Sequence, residues 1–202
     1  IAGTSSFTTS ANNATITLDN ANAFTGAVAL NTTGSTGHAT VVDASGLNLA
    51  ASTVGGNLIA TATTGNMEDS GVLTIAGTSS FTTSANDATI TLNNANAFTG
   101  AVTITTNDNS GTDADVTIDN GTTALILAAS TIDGDLTVTS GNASGITDSG
   151  TLTVGGNLAA ITDANNGVIT LDQLAVDGTV ALTTNGSGNA TVVNDAALNL
   201  AA

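Results

Sequence analysis

This chain predicts an all-β parallel solenoid of about eight coils, three to each long sequence repeat, and two observations lead there. Residues 1–28 return at 75–102 with only two changes, Asn13 to Asp87 and Asp19 to Asn93, so a 74-residue period separates Ile1 from Ile75. Inside that period runs a shorter motif: an apolar residue, any residue, Gly, any residue, then usually Val or Leu. It begins at Ile1, Phe24, Val54, Ile75, Phe98, Ile132, Val154 and Val176, with spacings of 23, 30, 21, 23, 34, 22 and 22 residues. Self-similarity at such periods is the mark of an array in which each unit buries its apolar face on its neighbour.

The elements between motifs read as strands. Thr15-Ile16-Thr17-Leu18, Thr89-Ile90-Thr91-Leu92 and Leu152-Thr153-Val154 alternate apolar residues with Thr, the period-two pattern of a half-buried strand. Thr and Val favour strands because β-branching suits a pleated surface. Gly, Asn, Asp and Ser separate the runs and supply turn conformations. No stretch sustains a helical period. Coils of about 22 residues stacked about 4.8 Å apart give a rod about 38 Å long. Its expected core is a column that includes Ile16, Leu18, Val28, Leu30, Leu47, Leu49, Leu58, Leu73 and Ile75. An antiparallel sandwich is the rival fold, disfavoured because successive repeats are alike and like residues can stack.

The organisation expected is one continuous segment over residues 1–202, made of repeats 1–74, 75–153 and a partial 154–202. The third copy breaks off at Leu198-Asn199-Leu200-Ala201-Ala202, where the first continues past Leu47-Asn48-Leu49-Ala50-Ala51, so the window reads as a piece of a longer array. Ends that interrupt a repeat expose unpaired strand edges. Leu198, Leu200 and Val180 are expected near one end and Ile1 near the other, with end-to-end self-association or further repeats of the same chain as the partner.

Composition narrows the function. Lys, Arg, Pro, Cys, Trp and Tyr are all missing, against fifteen Asp and the single Glu68, for a net charge of −16. Without cations the chain cannot neutralise nucleic-acid phosphate or an anionic membrane surface, and no apolar run has the length of a membrane helix. Zero cysteines exclude disulfides, thiol catalysis and thiolate metal sites.

Three stretches carry a family resemblance: Ser52-Thr53-Val54-Gly55-Gly56-Asn57-Leu58, Asn96-Ala97-Phe98-Thr99-Gly100-Ala101-Val102, and the run from Ile146 through Gly155-Gly156-Asn157-Leu158. In repeat style and composition, over the whole window, the chain resembles bacterial surface proteins of the filamentous-haemagglutinin type. The resemblance implies a right-handed parallel β-helix in a long secreted or surface-attached adhesin. It brings no catalytic residues, and the N-terminal secretion domain usual in such proteins is not visible here.

Candidate chemistry is thin. A lyase needs a base and a cation to hold the substrate carboxylate, and there is no Lys or Arg. The closest acid pairs for a glycosidase, Asp113/Asp115 and Asp133/Asp135, lie in polar surroundings that do not suit a raised pKa; the expectation is no enzyme. His38 is replaced by Asn189 in the third copy and reads as an exposed loop residue. An inserted loop in the second copy carries Asp108, Asp113, Asp115 and Asp119, an oxygen-rich set suited to a hard cation such as Ca²⁺. Its spacing matches neither an EF-hand nor a Gly-Gly-x-Gly-x-Asp repeat, and a solvated polar loop is the alternative. Asp residues do not occupy consecutive coils at the positions flanking the motif Gly.

Flat solenoid faces with rows of Thr-x-Thr can order water, and the pairs Thr15/Thr17, Thr61/Thr63, Thr89/Thr91, Thr103/Thr105, Thr137/Thr139 and Thr151/Thr153 raise ice binding. Counted from each motif they fall at different offsets, so they are not expected to share a column. The function expected is a structural and adhesive segment of an extracellular bacterial surface protein or filament, with host or neighbouring-cell glycans as possible targets. The alternative is a carbohydrate- or calcium-binding matrix module, with an ice-binding solenoid behind it; no nucleic acid, membrane insertion or obligatory cofactor is expected.

Overall fold

A computed structural model describes residues 1–107 and 114–201. Among them there is no helix, and 23 strands form two parallel sheets, of 12 and 11 strands. The chain alternates between the sheets. Ser5–Thr8 lies in the first and Ile16–Asn22 in the second; Val28–Asn31 then returns to the first, directly beside Ser5–Thr8. Ala39–Asp43 likewise settles beside Ile16–Asn22. The result is the expected β-solenoid, of about eight turns.

Inward residues repeat in register. Leu47, Met67, Ile90, Val116, Leu136, Leu158 and Val180 form one column down the first sheet, and all are buried. Each such side chain is worth roughly 1.5–3 kcal/mol when taken fully out of water. Phe7 meets Phe24 edge-on, with centroids 5.8 Å apart, and their repeat equivalents Phe81 and Phe98 meet at 5.3 Å. Of the nine core residues read from sequence, eight are buried, and Leu18 is only partly so.

The motif glycines sit where successive turns touch. A Cβ on Gly100 would lie 2.4 Å from the carbonyl oxygen of Gly77, and one on Gly178 would lie 2.4 Å from that of Gly156. Neither glycine has a positive φ, so close approach of backbone to backbone fixes the residue type here. Positive φ is met elsewhere, at Asn13, Asp87 and Asn166. These are equivalent positions in the three copies, and Asn and Asp tolerate the left-handed region. That accounts for one of the two changes between the first two repeats.

One expectation is corrected. The motif strands do not form a single column, and a long repeat is not three turns. The strands that follow the motif, Ser5–Thr8 and Val28–Asn31, lie in the first sheet. Leu58–Ala62, Ser79–Asn86 and Val102–Asn107 lie in the second, and Leu136–Ser140, Leu158–Asn165 and Val180–Asn185 are back in the first. The two long spacings, 30 and 34 residues, each admit one additional strand, Ala39–Asp43 and Val116–Asp119. Each advances the chain by a further half turn. Counting register partners from Ser5 through Val28, Leu49 and Asp69 gives three turns, and Ser79 lies half a turn further on, across the core. The identical sequence Ser-Ser-Phe-Thr at 5–8 and 79–82 therefore builds opposite faces.

Candidate functional site

The inserted acidic loop is the first place to look. Asp108 and Asp113 lie outside the described residues. Asp115 and Asp119 flank the strand Val116–Asp119, four residues and about 13 Å apart along an extended chain. Both carboxylates hold backbone: Oδ1 of Asp115 accepts the N–H of Asp135 at 2.8 Å, and Oδ1 of Asp119 accepts that of Gly121 at 2.8 Å. Among the described residues no group of three or more His, Cys, Asp or Glu is placed to hold a metal ion.

Asp115 instead starts a corner ladder. Oδ1 of Asp135 accepts the N–H of Asn157 at 2.7 Å, and Oδ1 of Asn157 accepts that of Thr179 at 2.9 Å. Each side chain thus caps the backbone of the turn above. Asp115 and Asp135 therefore stand on consecutive turns; Asp115 does not flank a motif Gly, and the additional half turn brings it beneath Asp135, which does. His38 is the equivalent residue of the first repeat. It is half-buried, and its Nδ1 accepts the N–H of Asn57 at 2.9 Å, after which Oδ1 of Asn57 accepts that of Thr78 at 3.0 Å. An accepting Nδ1 places the ring proton on Nε2. His38 is a structural cap rather than a free loop residue.

A second set of polar groups is sealed inside the corners. Asp43 and Asn120, both fully buried, occupy equivalent positions and accept the N–H of Phe24 and Phe98, at 3.1 and 2.7 Å. Asp69 is 8 % exposed and receives Asn93 N, both nitrogens of Asn94 and Nδ2 of Asn96. Buried carboxylates without cations are tolerable only with such donor sets. Their composition, Asn and Asp after an apolar run, reads in sequence as ordinary turn chemistry; the recurrence of Asp43, Asn120 and Asn194 at one repeat position was the available signal.

Two surface features remain. A groove of about 370 Å³ opens where the first additional half turn enters, lined by residues that include Phe24, Gly26, Gly46, Asn48, Asn66 and Glu68. Nδ2 of Asn48 donates to Oε1 of Glu68 at 2.7 Å, and Ser70 Oγ donates to Asn48 Oδ1 at 2.6 Å. The corresponding residues of the second repeat are Ile126, Gly145 and Thr147 for Asn48, Asn66 and Glu68, so the second repeat lacks this polar lining.

The other feature is on the second sheet, where Thr61, Thr82, Thr105, Thr131 and Thr153 stand in register on five successive turns. Thr61, Thr82 and Thr105 share one offset, seven residues from Val54, Ile75 and Phe98, and the half-turn phase adds Thr131 and Thr153 to their column. The six Thr-x-Thr pairs divide between the two sheets and so do not share one column, as expected.

A model of a repeat family matches residues 1–31, 36–105 and 113–185. The chain belongs to the family described as Repeats of unknown function (DUF5649). The first two matched segments of this DUF5649 chain end at Asn31 and Thr105, equivalent positions one 74-residue period apart. The second and third segments each begin just before an additional half-turn strand. No curated protein and no solved structure matches the chain.

Proposed function

We propose that this DUF5649 chain is a structural and adhesive segment, similar to the filamentous-haemagglutinin type, of a long extracellular bacterial surface protein or filament, and that it performs no catalysis. The observation that carries the reading is the continuity of the turn-to-turn ladder. Strand pairing, the apolar column and the corner caps all link one turn to the next, so stability accumulates along the axis and the segment can be lengthened by adding turns. A high negative charge with no cation keeps such rods soluble and apart side by side. Association then runs through the ends, with further repeats or further copies.

The test is immunolabelling of intact source cells before and after protease shaving, alongside a strain lacking the repeats. Surface label that shaving removes, with weaker attachment in the deletion strain, supports the proposal. Label that appears only after lysis contradicts it.

A second reading, glycan recognition, is favoured by the groove of the first repeat. A carboxylate beside a carboxamide can accept from and donate to sugar hydroxyls, and the Asn48–Glu68 bond fixes the pair. Glycan-array binding that is lost in Glu68→Gln supports this reading; equal binding by both proteins removes it.

A further inference from the structure

The threonine column of the second sheet has a neighbour. A second outward column, Thr17, Thr40, Ile59, Ser80 and Thr103, also stands in register. It shares three strands with the first, where Ile59, Ser80 and Thr103 lie two residues before Thr61, Thr82 and Thr105. Turns are about 4.8 Å apart, and alternate residues of a strand about 6.7 Å, so over the three shared strands the columns make a two-dimensional patch of hydroxyl and methyl groups. Thr17 and Thr40 continue it on one side and Thr131 and Thr153 on the other. Thr105, Thr131 and Thr153 are exposed, and Thr61 and Thr82 are half-buried.

Charge sets this face apart. In a chain of net charge −16, the outward positions of Ala39–Asp43, Leu58–Ala62, Val102–Asn107, Ser130–Ile132 and Leu152–Val154 carry no acid. Acids on this sheet stand toward its ends, Asp19 on Ile16–Asn22 and Asp172 on Ile169–Val176, whereas the first sheet turns Glu68 and Asp119 outward on its middle turns. An uncharged face suits an uncharged partner, and a face that repeats in two directions suits a partner that also repeats. A protein partner fits poorly, because the residues that dominate protein interfaces, Trp, Tyr and Arg, are missing from the chain. A crystalline polysaccharide fits poorly too, because aromatic rings that could stack on sugars all face inward: Phe24, Phe81 and Phe98 are buried and Phe7 packs on the core.

The geometry points to ice as the ligand of this face. Each Thr hydroxyl can both donate to and accept from water, while its methyl restricts the water beside it. A regular array of the two holds first-layer water in a repeating arrangement that can merge with a growing ice surface. This inference does not depend on the adhesive reading.

The test is ice-recrystallisation inhibition and thermal hysteresis with the 202-residue chain and three variants. T105K and T131K place a charge in the lattice, and T53K places the same charge at an exposed outward position of the first sheet. Far-UV circular dichroism selects variants that keep the sheet signal. The expected result is activity in the parent chain and in T53K, with loss in T105K and T131K. Inactivity of the parent overturns the inference, as does equal loss in T53K, or adsorption to crystalline cellulose with no effect on ice.

Discussion

The backbone N–H of Asp135 donates to Oδ1 of Asp115 one turn below, at 2.8 Å, so two carboxylates stack in a chain with no lysine or arginine to separate them. The arrangement persists because each acid serves as an acceptor for the turn above. Asp135→Asn keeps the acceptor and removes one of two like charges. It should leave stability unchanged or raise it, most visibly at low ionic strength where repulsion is least screened. Asp135→Ala leaves the N–H of Asn157 without its cap and should cost on the order of 1 kcal/mol. Urea unfolding at two salt concentrations checks both; a stability loss in Asp135→Asn matching that of Asp135→Ala would mean that charge, not capping, matters here.

Asn120 makes the complementary case inside the corner. Its Oδ1 accepts from Phe98, while Nδ2 donates to the carbonyls of Phe98, Thr123 and Ala124. Asp at this position would turn a carboxylate oxygen toward three carbonyl oxygens. Asn120→Asp should therefore destabilise by about 3 kcal/mol or more, at least as much as Asn120→Ala. The equivalent Asp43 escapes this because its second oxygen receives Ser45 N and Oγ at 3.1 and 3.0 Å. Thermal melting of the two Asn120 variants gives the order.

Ser79 is an inward residue stacked between Leu58 and Val102, and its buried hydroxyl has no hydrogen-bond partner among the described residues. Ser79→Ala removes the unsatisfied group and should stabilise by about 1 kcal/mol. A raised urea midpoint with an unchanged slope is the expected observation; a lowered midpoint would point to a role for the hydroxyl.

Gly100→Ala tests the contact between turns. The added methyl meets the backbone of Gly77, which cannot move without shifting a whole turn, so a loss of about 1–3 kcal/mol is expected. Unfolding curves close to those of the parent chain would show that the turns can part at no cost.

Much of this fold is legible in the residues themselves. The motif glycines mark where turns touch, and Thr alternating with Ile, Leu and Val marks strands whose apolar side faces in. What cannot be read is which sheet a strand joins. In-and-out alternation is the same on either side of the core, so the spacings of 30 and 34 residues look like long loops when each holds another strand. That single ambiguity hid the stacking of Asp115 beneath Asp135, the capping role of His38 and the extension of the threonine column to Thr131 and Thr153. Asp115 and Asp119 read in sequence only as candidate oxygen donors, because sequence shows a carboxylate but not the backbone N–H it also serves.

The half-turn phase is the central structural claim, and paired cysteines test it most directly in a chain with no cysteine of its own. If the motif strands stacked in one column, Thr105 and Thr139 would be neighbours, three residues into consecutive strands that begin at Val102 and Leu136. The structure instead pairs Thr105 with Thr131 and places Thr139 beside Asp119 and Ile161 on the opposite sheet. Adjacent parallel strands bring Cα atoms within disulfide range, about 4.4–6.8 Å. Oxidation should close a disulfide in T105C/T131C and not in T105C/T139C, as read by a gel shift that reductant reverses. Ready closure of the 105–139 pair, with none for 105–131, would contradict the account.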